Sequence, residues 1–114
     1  MVSPYSPTHA AYASYLAGLS VSGIVDHDTV SGIKEFHQAA HILNLASTSG
    51  AEVRVKFSVF DRIINNPDQK NVMYMVAHGI PLEHIEAFNQ YLEPFRLQRE
   101  IRNQKMVANI NKLI

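Results

Sequence analysis

Three consecutive ionisable residues, Asp26-His27-Asp28, follow a short apolar run, Val21-Ser22-Gly23-Ile24-Val25, and precede Thr29 and the helix-opening pair Ser31-Gly32. In α/β proteins the C-terminal ends of strands form the ligand face. Imidazole and carboxylate groups placed there can hold a divalent metal, and the metal can activate a water. Asp26 and Asp28 read on residue type alone equally well as turn formers or helix caps, with His27 filling the turn. A second pair, His37 and His41, stands four residues apart on one helical face, the spacing of a zincin protease. Gln38 occupies the place of its catalytic glutamate, so a solvated helix face is expected there. Arg96, Arg99, Arg102 and Lys105 recur every third residue and spiral around a helix, which predicts a solvated, partly paired face. Ser14, Ser47 and Ser58 have neither a glycine elbow nor an evident base, and no phosphate-cradling glycine loop is present.

The elements that would position these groups follow from period and punctuation. Ser6-Pro7 caps a first helix that Gly18 ends. Residues 21–25 read as a buried strand, and Ile33, Phe36, Ala40 and Leu43 form the buried stripe of a second helix over 33–44. Ser47-Thr48-Ser49-Gly50 is expected to be a loop. From Ala51 to Phe57 the chain alternates, with Glu52, Arg54 and Lys56 on the polar face of a strand. Asn65-Asn66-Pro67-Asp68 signals a turn, residues 72–77 a third strand, and Pro81 opens a helix with Glu83 in its first turn. Pro94 is expected to break that helix, leaving a long final one from Phe95. That order predicts an α/β fold with short parallel strands and outer helices, divided into an α/β domain over 1–94 and a C-terminal helix over 95–114.

Composition removes several classes of function. The 114 residues suit one small domain, 46% of them hydrophobic, and ten Lys+Arg balance ten Asp+Glu. A neutral chain offers no global field for nucleic acid or anionic membrane, so nucleic acid is expected only as a substrate. With no cysteine, disulfides, thiolate zinc sites and cysteine nucleophiles are excluded. No apolar run is long enough to span a membrane and no signal-peptide pattern opens the chain, so a cytoplasmic location is expected.

The segment from Gly18 through Asp26-His27-Asp28-Thr29 to Gly32 resembles the second motif of the PHP (polymerase and histidinol phosphatase) family: a glycine-ended helix, a short strand, the Asp-His-Asp-Thr turn and a Ser/Gly helix start. Gly50-Ala51-Glu52-Val53 is similar to the Gly-Val-Glu motif opening the family's next strand. Leu92-Glu93-Pro94-Phe95-Arg96 through Arg99, Arg102 and Met106 is similar to an Arg-rich helix of one phosphoesterase branch. The resemblance runs from about Ser6 to Met106 and is densest over 18–32 and 50–57. It implies a partial distorted β/α barrel and the hydrolysis of phosphate esters by metal-activated water. It also implies a divalent metal (manganese, iron or zinc) held by His27 and Glu52, the latter bridging. Asp26 and Asp28 would orient the turn or add a ligand, and Arg96 and Arg99 would meet phosphate. No catalytic residue beyond the metal ligands is implied. The family's opening His-x-His strand has no counterpart here, and its next histidine falls at Met73 or Tyr74, with His78 as an outside candidate.

Two ligands leave such a site incomplete. Two readings follow: a partial phosphoesterase completed by another chain or by the remainder of a longer one, or a non-catalytic remnant serving oligomerisation or protein interaction. The final helix bears on the choice. Leu97 and Ile101 share one side, while Met106, Val107, Ile110, Leu113 and Ile114 lie largely on another, which predicts a homo-oligomer or a further domain covering one of them.

Overall fold

The computed structural model describes residues 5–59, 62–66 and 69–112. The chain forms α1 (Pro7–Leu16), β1 (Val21–His27), α2 (Ile33–Ile42), β2 (Ala46–Lys56), β3 (Val72–His78), a 3-10 turn (Leu82–His84) and α3 (Ile85–Asn111). Three helices thus accompany one open three-stranded sheet, ordered β1-β2-β3.

The N-terminal half follows its local signals. Ser6 Oγ accepts the His9 N–H at 3.1 Å, and Pro7 fills the first turn. Glu35 of α2 then caps the same end, its Oε1 accepting from the Thr8 N–H at 3.1 Å and the Thr8 hydroxyl at 2.7 Å. Gly18, at φ +75°, ends the helix while its N–H and that of Leu19 satisfy the Tyr15 and Ser14 carbonyls. In α2 the buried residues are Ile33, Phe36, Ala39 and Ala40. Gly32 lets the two helix starts meet, because a Cβ there would lie 2.9 Å from Pro7 Cγ.

Three expectations are corrected. First, β2 starts at Ala46, so Ser47–Gly50 is strand and not loop. These residues pair in parallel register with Ser22–Val25, and buried Ser49 Oγ donates to the Ile80 carbonyl at 2.6 Å. Second, the sheet is not all parallel: β1 and β2 are parallel, but β3 runs antiparallel to β2, from Gly50↔His78 to Lys56↔Val72. A parallel partner needs a long crossover, usually a helix, and no helix lies between β2 and β3 among the described residues. Third, Pro94 does not end a helix. It lies inside α3, so the expected boundary between 94 and 95 falls within one continuous element. Pro94 and Gln90, whose carbonyl loses its partner, are both exposed, so water can satisfy that group. Pro67 and Asp68 of the expected turn, and Leu113 and Ile114 of the expected apolar side, lie outside the described residues.

The helices cover one face of the sheet. Val30, Ile33, Ala51, Ile80, Ile85 and Leu92 make the main core, with Ile24, Val53, Ala77 and Phe88 against it, while Ala11, Phe36 and Ala39 join α1 to α2. The alternate residues of the strands, Val21, Val25, His27, Glu52, Tyr74 and Val76 among them, therefore share the opposite, largely uncovered face, where Val21, Val25 and Val76 are exposed. From Ile101 to Lys112 every residue of α3 is exposed, and the radius of gyration is 17.0 Å. A compact domain of this length would have about 13 Å. The last turns of α3 stand clear of the body.

Candidate functional site

β1 continues through His27, and the chain then turns sharply. Asp28 adopts φ +54°, a conformation that Asp tolerates better than most residues. Its N–H donates to the Glu52 carbonyl at 2.8 Å, which ties the turn to β2. Thr29 Oγ1 accepts from the Ser31 N–H at 3.2 Å and leads the chain towards α2.

The register sets His27 directly beside Glu52. Their side chains, 34% and 38% exposed, meet on the uncovered face with His27 Nδ1 donating to Glu52 Oε1 at 3.0 Å. Because a carboxylate only accepts, this bond puts the neutral ring's proton on Nδ1. The other nitrogen, Nε2, lies 3.5 Å from Asp28 Oδ2. Asp28 is only 6% exposed at its side chain and is held by the guanidinium of Arg99, which arrives on α3 from 71 residues away. Tyr74 of β3 closes the third side, its ring tilted 58° to the imidazole at 5.4 Å.

Cations dominate the rest of the neighbourhood. Arg54, Arg99 and Arg102 line a cleft of about 350 Å³ together with His27, Gln69 and Tyr74. Burial, then the charges of Arg99 and Arg54, hold the His27 pKa below its usual value against the opposing pull of Glu52. The Arg99 pKa is lowered by burial and then by the nearby charge of Arg102.

The expected site residues thus divide. His27, Glu52, Asp28 and Arg99 come together. Asp26 alternates to the other face, where its Oδ2 lies 3.2 Å from the place a Cβ on Gly32 would take, and shares with His27, Glu52 and Arg99 the lining of a cleft of about 870 Å³. Arg96 is turned away, donating to Asn89 Oδ1 at 2.7 Å and pairing with Glu93. Of the two positions expected to replace the family's histidine, Tyr74 is the one that meets His27, and His78 lines none of the clefts around it. Arg54 and Arg102 were not expected in the site. Arg54 could have been found, since it follows Glu52 on the same strand face, whereas nothing local separates Arg102 from its helical neighbours. The histidine pair also differs from expectation. His37 is half-buried, with its Nδ1 2.6 Å from Ser47 Oγ, so Ser47 does have a basic neighbour and only His41 is solvated.

No family model matches this chain, and neither a curated protein nor a solved structure matches it significantly.

The donor set admits half of a metal centre. An imidazole nitrogen and a carboxylate oxygen 3.0 Å apart have the spacing of adjacent ligands of a six-coordinate ion, each about 2.1 Å from it. No group of three His, Asp or Glu residues able to hold a metal exists among the described residues. Asp28 is the nearest third carboxylate, and Arg99 already compensates its charge. No helix among the described residues is long and apolar enough to cross a membrane.

Proposed function

We propose that this chain carries part of a metal-dependent phosphoesterase site of the PHP type, with His27 and Glu52 supplying two ligands and an arginine cleft receiving the phosphate. The observation that carries the reading is the side-by-side placement of His27, the last residue of β1, and Glu52, its register partner within β2, with both side chains partly open to solvent. In this reading the open sheet is a segment of the family's distorted barrel. Divalent metal, when bound, would polarise a phosphate ester and activate water.

The chain's own residues have separable tasks. A metal held at His27 Nδ1 would leave the ring proton on Nε2, which faces Asp28 Oδ2 at 3.5 Å, and the lowered pKa of the ring keeps it in the neutral form that ligation needs. Asp28, fixed by Arg99 and by its N–H bond to β2, holds the turn that presents the ring. Arg54 and Arg102 would bind the phosphate oxygens, since guanidinium suits planar, multidentate recognition of that group. Further ligands must come from outside the described residues, so hydrolysis by this chain alone is not expected.

The test is a manganese titration followed by NMR. The His27 ring resonances should broaden first, and both His27→Ala and Glu52→Gln should remove the binding. Broadening elsewhere, or binding indifferent to both substitutions, would overturn the reading. It would favour the alternative of a non-catalytic interaction module, which the capture of Asp28 by Arg99 also supports.

A further inference from the structure

The two edges of the sheet are finished differently. Along β3, Asn65 stands in for a neighbouring strand: its Oδ1 accepts from the Tyr74 N–H at 2.8 Å and its Nδ2 donates to the Tyr74 carbonyl at 2.9 Å. Along β1, no side chain of the described residues does the same between Val21 and Val25. The Ser20 carbonyl and the Asp28 N–H both bond towards β2. Alternation then aims the N–H and C=O groups of Val21, Gly23 and Val25 out of the sheet. The usual protections of an open edge are missing as well, for residues 21–25 contain no lysine, no proline and no charge.

We infer that β1 pairs with β1 of a second copy, antiparallel about a two-fold axis at Gly23, and joins the two sheets into one of six strands. In that register Val21 faces Val25 of the other copy on the uncovered face, where the two residues are 60% and 40% exposed. Gly23 faces itself. The position is held bare by β2, because a Cβ at 23 would meet Thr48 Cγ2 at 2.7 Å. The pairing uses residues 21–25 only, short of the Asp26↔Thr29 bridge, so His27 and Glu52 stay open in each copy.

A further observation selects a second copy as the occupant. The strand is uncharged and self-complementary, so antiparallel self-pairing brings no like charges together. Tyr12, Tyr15 and Leu16, about half exposed or more, add apolar area on α1, the helix that precedes the strand.

The test is light scattering on the full chain across a range of concentrations. A mass twice that of the chain is expected. Val21→Lys with Val25→Lys sets like charges opposite each other twice and should weaken dimerisation by about tenfold or more, whereas Val21→Lys with Val25→Glu should restore it. Circular dichroism identifies any variant that has lost its fold, and the Lys/Glu pair carries the same lysine as the disruptive one. A monomer at every concentration, a higher or unsaturating assembly, or a dimer equally strong in both variants would overturn the proposal.

Discussion

Replacing Arg99 by Met removes the cation from Asp28 while keeping a long apolar stem on α3. Asp28 is 6% exposed at its side chain and Arg99 27%, so the pair lies between a surface ion pair and a buried one. Exposed pairs contribute about 0–1 kcal/mol, whereas removing one member of a buried pair costs about 3–5 kcal/mol because the other is left uncompensated. An intermediate loss of about 2–3 kcal/mol is therefore expected for Arg99→Met. With an unfolding entropy of about 2.1 cal/mol/K per residue, that is a fall of roughly 8–12 °C in Tm for a chain of this size. Asp28→Asn should be milder, because Asn also accepts the left-handed backbone and keeps the N–H bond to Glu52. The double variant should recover at least about 1 kcal/mol relative to the sum of the singles, since neither charge is then buried alone. Urea and thermal denaturation in metal-free buffer measure the whole cycle. The His27 pKa, followed by NMR, should rise in Arg99→Met as one of its two cationic neighbours is lost. If Arg99→Met unfolds within about 0.5 kcal/mol of the parent and the cycle is additive, the pair does not anchor α3 and the reasoning fails.

Two other perturbations probe the scaffold. The Glu35 carboxyl is held below its usual pKa by the Thr8 hydroxyl and N–H bonds. The folded chain therefore binds fewer protons here than the unfolded one, so this stabilisation is present above the ordinary carboxylate range and is lost as pH falls through the depressed value. Thr8→Val removes the hydroxyl bond but keeps the N–H bond, so it should raise the Glu35 pKa part of the way and remove part of that acid dependence, as NMR and pH-dependent denaturation would show. Pro94→Ala should stabilise the chain by up to about 3 kcal/mol, because a proline interior to a helix lacks a donor and crowds the preceding turn. An unchanged Tm would mean that α3 is broken at that point.

Local chemistry made much of this fold legible. Ser6, Pro7 and Gly18 mark the ends of α1 by capping and φ preference, and Ile33, Phe36 and Ala40 identify the buried side of α2; all of these act within a few residues. His27 and Glu52 were also readable, because His27 ends an apolar strand run, Glu52 stands in an alternating one, and alternation fixes the face of each. What escaped was set at long range. Ser47–Gly50 has weak strand character and becomes strand through its pairing with β1. The direction of β3 was accessible in principle, since the irregular stretch after Phe57 offers no crossover helix, but alternation within a strand carries no direction. Arg99 is one turn of a spiral of similar residues, and only the angle at which α3 passes the sheet selects it over Arg96.

The imidazole of His27 lies between two carboxylates whose situations are opposite. Glu52 is more than a third exposed and carries no cationic partner within salt-bridge reach, apart from the ring itself, among the described residues. Asp28 is buried and committed to Arg99. A cation arriving from solvent therefore meets the Glu52 side of the ring at little cost, whereas recruiting Asp28 requires Arg99 to leave and α3 to shift. The contact that joins α3 to the turn is thus also the contact that keeps a third carboxylate out of the donor set. Variants at Arg99 should consequently trade stability for cation affinity: the same substitution that lowers Tm should tighten manganese binding at His27 and Glu52. Weaker or unchanged binding would show that Asp28 holds the turn and nothing more.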